Sequence, residues 1–75
     1  MLFFKSRSEK ELDAIIHEMK QFLSNNYKDL AHSCRKDLLI KTEEYYSQGK
    51  LKEEKYKEYK AIYEKYTVML KDYKH

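Results

Sequence analysis

The amino-acid sequence predicts an all-α fold, a short bundle of three helices or of one long helix folded back on another, whose copies associate with each other. Three observations predict it. The chain has no proline, one glycine and 39% charged residues, a composition rich in lysine and glutamate that favours helix and leaves little punctuation for strands. Apolar and aromatic residues make up 41% of it and recur at three- and four-residue steps, which marks a helix face and argues against a disordered polyelectrolyte. The chain is also short: at 75 residues it forms one domain, 1–75, burying only about 60 to 65% of its unfolded surface. Its single cysteine, Cys34, forms no intramolecular disulfide and no cysteine-based zinc cluster. Self-association is a remaining route to stability, because it buries more apolar surface per chain.

Residues 1–7 are an apolar and then basic lead, Met1-Leu2-Phe3-Phe4 followed by Lys5 and Arg7. Four apolar residues bury too little for stable membrane attachment. No stretch approaches the roughly 20 apolar residues of a membrane span, and the start lacks the long apolar core of a secretory signal. Leu2, Phe3 and Phe4 therefore read as a secondary contact surface, folded over the end of a bundle or into a subunit contact. Together with the cysteine usage this predicts a protein of the reducing cytoplasm.

The first helix, 8–24, starts near Ser6 or Ser8, each with a glutamate three residues on, Glu9 and Glu11, in capping-box spacing. Leu12, Ile15, Ile16, Met19, Phe22 and Leu23 then share one face, with Asp13, His17 and Lys20 opposite. Ser24-Asn25-Asn26 predicts a break, because asparagine tolerates a left-handed helix end and also caps a new start, with Asp29 in the capping-box position after Asn26. The apolar phase continues through Tyr27, Leu30, Ala31, Cys34, Leu38 and Tyr45 without a jump, so an unbroken helix is the alternative. The second helix covers 26–47 and ends at Ser47-Gln48-Gly49, where the only glycine is the expected left-handed terminator.

The third helix, 51–74, opens on Lys50-Leu51-Lys52-Glu53-Glu54, with both glutamates near the positive end of its dipole. The segment Tyr46-Ser47-Gln48-Gly49-Lys50-Leu51-Lys52-Glu53-Glu54-Lys55-Tyr56 resembles the short helical hairpins found at the ends of many bacterial proteins. In those, a glycine precedes an aliphatic residue, acidic residues and an aromatic. Lys52 departs from the pattern, standing where they carry a threonine or serine cap. Tyr56, Tyr59, Tyr63, Tyr66, Leu70 and Tyr73 follow at heptad spacing, over fewer heptads than a coiled coil needs, with Ile62 and Met69 widening the stripe.

That stripe is the candidate contact face. Eight tyrosines beside three phenylalanines and no tryptophan are unusual for a closed core, because each buried hydroxyl needs a partner. At an interface, rigid amphipathic rings tolerate a wet edge. The expected function is a non-catalytic protein–protein interaction module, associating with itself and with another protein as a small adaptor or inhibitor. The alternative is binding of nucleic acid or a nucleotide by Tyr59, Tyr63, Lys60 and neighbouring lysines. Charge weighs against that alternative: residues 1–25 and 26–49 each carry four basic and four acidic side chains, and 50–75 carry eight and five. Even in the last helix Glu53, Glu54, Glu58 and Glu64 interrupt any basic track.

No enzyme class is indicated, and neither is a cofactor or a metal. Gly49 stands alone, which removes phosphate loops, and no serine lies in a strand–turn–helix elbow. His17 and Asp13 are one turn apart on the solvated face. His32 and Cys34, two residues apart, point to different sides of a helix. Glu43-Glu44 and Glu53-Glu54 flank the second turn without a histidine at metal-ligand spacing, and read as helix-end electrostatics.

Overall fold

The computed structural model describes residues 6–71, which form three helices, α1 Arg7–Ser24, α2 Lys28–Ser47 and α3 Glu53–Lys71. Leu2, Phe3, Phe4 and Tyr73 lie outside the described residues. The helices run up, down and up, with α1 and α3 each packed along α2.

α1 starts where a side chain can satisfy a first-turn amide: the Ser6 hydroxyl accepts from the Glu9 N–H at 3.2 Å. It ends in a Schellman arrangement. The Asn26 N–H donates to the Leu23 carbonyl, the Tyr27 N–H reaches back to Phe22 at 2.8 Å, and Asn26 takes φ +65°. The accompanying apolar contact is the Tyr27 ring edge-on to Phe22, centroids 6.4 Å apart. The chain therefore breaks at Asn25-Asn26 rather than continuing as one long helix. The expected Asn26 N-cap of α2 is corrected: Asn26 is the left-handed terminator of α1, and Tyr27 holds the N-cap place without a capping bond from its side chain.

The second turn repeats the solution. Gly49 takes φ +74°, its N–H donates to Tyr46, and the Lys50 N–H donates to Tyr45 at 2.8 Å. α3 then opens at Glu53, two residues later than the apolar pattern suggests, because Leu51 is spent on the core and is itself buried. Glu53 and Glu54 occupy the first turn and Lys71 the last, each favourable to the helix dipole.

The core follows from the three stripes. Leu12, Ile16 and Met19 of α1, Ala31, Cys34 and Leu38 of α2, and Tyr59, Tyr66 and Leu70 of α3 form one cluster, sealed at one end by Leu51. α2 supplies small residues, Ala31 and Cys34, and α3 supplies long aromatic ones. That pairing lets α1 and α3 both approach α2 while rings span the wider gap between them. Thr42 shares the inward stripe of α2 and is 1% exposed.

Candidate interaction face

The tyrosine stripe of α3 divides into three parts. Tyr59, Tyr66 and Leu70 are buried in the chain's own core, Tyr56 and Tyr63 are half-buried at its edge, and Tyr73 lies outside the described residues. Its centre is thus turned inward, and the solvent-reachable part is the seam where α3 meets α2.

The core tyrosine shows how a hydroxyl is tolerated inside. Tyr59 donates to Asp13 Oδ1 at 2.8 Å and lies 3.4 Å from the Glu9 carbonyl oxygen, so its ring fills the α1–α3 gap while its oxygen ends on polar groups. Burial, and then the bond to Asp13, push its phenol well above the ordinary tyrosine value.

At the seam, the half-buried tyrosines are fixed from α2. Tyr56 donates to both carboxylate oxygens of Glu43, at 2.9 and 3.1 Å, and Lys60 Nζ reaches the same carboxylate at 2.7 Å. The lysine's bond and then the tyrosine's hold the Glu43 carboxyl below the usual range, and the same carboxylate raises Lys60 and Tyr56. Tyr46, at the end of α2, stacks on Tyr56 with centroids 4.0 Å apart and planes 14° from parallel, and Lys60 sits 5.6 Å from the Tyr56 centroid. One helical turn or more toward the other end, Arg35 donates to Thr67 at 2.9 Å and lies over the Tyr63 ring at 5.1 Å. The Thr67 hydroxyl in turn donates to the Tyr63 carbonyl.

The seam is therefore a row of aromatic rings, Tyr46, Tyr56 and Tyr63, interleaved with Glu43, Lys60 and Arg35. Every member is held by a neighbour on the opposite helix, and Tyr46 remains 38% exposed. Such an arrangement can bind by presenting pre-ordered amphipathic rings at low entropic cost. Sequence reasoning placed Tyr56 and Tyr63 in the contact face but passed over Tyr46, Glu43 and Arg35. These lie on α2, and their pairing with α3 depends on the register of two helices, which no local spacing reveals.

Of the residues named for nucleic-acid binding, Tyr59 is enclosed, Lys60 is held by Glu43 and Tyr63 lies under Arg35. The His17 ring meets Gln21 at 3.2 Å on the solvated side. Cys34 is buried, and its thiol is pushed up first by desolvation and then by Glu18 and Asp37, the opposite of what activates a nucleophile. Among the described residues no three His, Cys, Asp or Glu side chains converge on a metal position, and no helix is long and apolar enough to cross a membrane. Comparison with family models, with curated proteins and with solved structures gave no match to this chain.

Proposed function

We propose that this chain is a small, non-catalytic protein–protein interaction module of the cytoplasm that associates with itself and offers the α2–α3 seam to a partner protein, as an adaptor or inhibitor. The observation that carries the reading is the Tyr46–Tyr56 stack, locked from below by Glu43 and Lys60 yet open to solvent at Tyr46. A bundle that needed these rings only for stability would gain more from aliphatic side chains, which ask for no hydroxyl partner. Rings braced in place lose little freedom on binding, so more of the contact energy appears as affinity.

The test has two arms. Native mass spectrometry of the full chain reports the number of copies. Capture from cell extract with wild-type and Tyr46→Lys baits reports the seam, after circular dichroism has shown equal helicity. A partner retained by the wild type and lost from Tyr46→Lys supports the reading; a monomer whose two baits retain the same proteins defeats it. The nucleic-acid alternative has less support, because its named side chains are engaged within the fold, and titration with short single strands at low salt is its test.

A further inference from the structure

Of the charged side chains in the α2–α3 seam, Glu43 and Lys60 neutralise each other through an ion pair at 2.7 Å. Arg35 is the exception. Its side chain is half-buried, and among the described residues its guanidinium meets no carboxylate. Its neighbours are neutral instead: Nη1 donates to the Thr67 hydroxyl at 2.9 Å, and the guanidinium carbon lies 5.1 Å from the Tyr63 ring centroid. Nε is enclosed and, among the described residues, has no hydrogen-bond partner. Nη2 makes no bond to the described residues either, yet it is not enclosed, so one corner of the fork is open to solvent.

A guanidinium drawn out of water needs an opposite charge or a full set of acceptors to offset its desolvation. The fold gives Arg35 neither. It does hold the group in place, by the Tyr63 ring and the Thr67 bond, and a planar fork held in this way suits the two oxygens of a carboxylate. The position is prepared for a carboxylate from outside the chain.

The rest of the row sets the character of that partner. Leu39 follows Arg35 by one turn of α2, Glu43 follows Leu39 by another, and Tyr46 comes three residues later, so the four share one face of the helix. Leu39 is half-buried and Tyr46 is 38% exposed. With Glu43 neutralised by Lys60, the surface runs from cationic through apolar to aromatic. An amphipathic helix laid along it is complementary when it carries an acidic side chain at Arg35 and apolar ones toward Tyr46, about 16 Å away along the axis. A nucleic-acid strand fits less well, because its evenly spaced phosphates would pass Glu43 and, one residue after Tyr63, Glu64.

We propose that the partner of the α2–α3 seam is an amphipathic helix whose carboxylate is bound by Arg35, with Thr67 and Tyr63 holding the guanidinium in position, and whose apolar side chains cover Leu39 and Tyr46. This rests on the seam being a protein contact, as proposed above, and supplies the chemistry of what binds there.

The probe is a displayed library of helical peptides of about 18 residues, long enough to span the row, varied along one face and selected on the full chain. Selected peptides are expected to carry Asp or Glu about three turns from an apolar residue. Their affinity, read by fluorescence anisotropy, should fall about tenfold or more on Arg35→Gln, the loss of a charge-assisted bond, and should also fall on Tyr46→Lys. Replacing the peptide's acid by its amide should cost the same factor against the wild type and almost nothing against Arg35→Gln, as a coupled pair requires. Circular dichroism checks the helicity of each variant. Arg35→Lys, which keeps the charge and loses the fork, replaces the glutamine variant if that one unfolds, and it too should weaken binding. Peptides indifferent to Arg35→Gln overturn the proposal; if they still lose affinity on Tyr46→Lys the seam reading stands, and if they do not it falls as well. A library that yields no binder removes both. A short single strand whose binding depends on Arg35, where no selected peptide's does, assigns the position to phosphate and likewise overturns the proposal.

Discussion

Thr42→Val should make this protein more stable. Thr42 is 1% exposed, and among the described residues its hydroxyl has no hydrogen-bond partner. A buried unsatisfied hydroxyl costs about 1 to 3 kcal/mol. Valine keeps the β-branched shape, and its helix propensity is close to threonine's, so the backbone terms nearly cancel. The added methyl contributes apolar burial where the oxygen stood. The net expectation is a gain of about 1 kcal/mol, which for a domain of this length raises Tm by roughly 4 to 8 °C. Thermal and urea unfolding followed by circular dichroism at 222 nm measure it, with the urea slope checked for constancy. Thr42→Ser is the companion: it keeps the hydroxyl and removes the methyl, so it should lose about 1 kcal/mol. A valine variant less stable than the wild type would show that the hydroxyl is satisfied in solution, and the reasoning would fail.

Three further expectations follow from the same geometry. Leu38→Ala removes a fully buried side chain at the centre of α2 and should cost about 3 kcal/mol, most of the stability open to so small a core; a helical, cooperatively melting variant at 37 °C would contradict the packing described. Gly49→Ala should lose about 1 kcal/mol. Beyond its own chain neighbours, no atom of the described residues lies within 4 Å of the added Cβ, so the loss reads the φ of +74° alone, and a neutral result in urea titration would mean that this turn relaxes freely. The Tyr59 phenol has a folded value above its unfolded one, so its contribution is complete below about pH 10 and declines as pH rises further. Tyr59→Phe should therefore flatten the alkaline fall in Tm and lower stability at neutral pH, and an unchanged alkaline limb would refute a phenol raised by burial and by its bond to Asp13.

The three helices were legible because their signals are local. Leu12, Ile16 and Met19 repeat within one helix, and Gly49 and the Asn25-Asn26 pair mark the two corners by backbone preference alone. The roles at those corners were less legible: Asn26 suits an N-cap and a left-handed C-terminus equally well, and the Phe22–Tyr27 contact that favours the second exists only once the turn has formed. The tyrosine stripe was found, but its inward direction was not. Heptad spacing says which side chains share a face and is silent on whether that face meets the same chain or another. Asp13 beneath Tyr59 and Glu43 beneath Tyr56 lie 46 and 13 residues away in sequence, and pairings over such distances follow from the assembled bundle.

The difference between those two separations bears on how the molecule comes apart. Each hairpin, α1 with α2 and α2 with α3, closes through a tight local turn and re-forms quickly after opening. Among the described residues the hydrogen bonds from α3 to α1 come from Tyr59 alone, across separations of 46 and 50 residues. That hydroxyl works as a latch between two quick hinges: contacts so remote in sequence form late, after the chain has met the larger closure entropy. In hydrogen-exchange experiments the amides of α2, held from both sides, should be the last to open, with α1 and α3 peeling away from it as separate units.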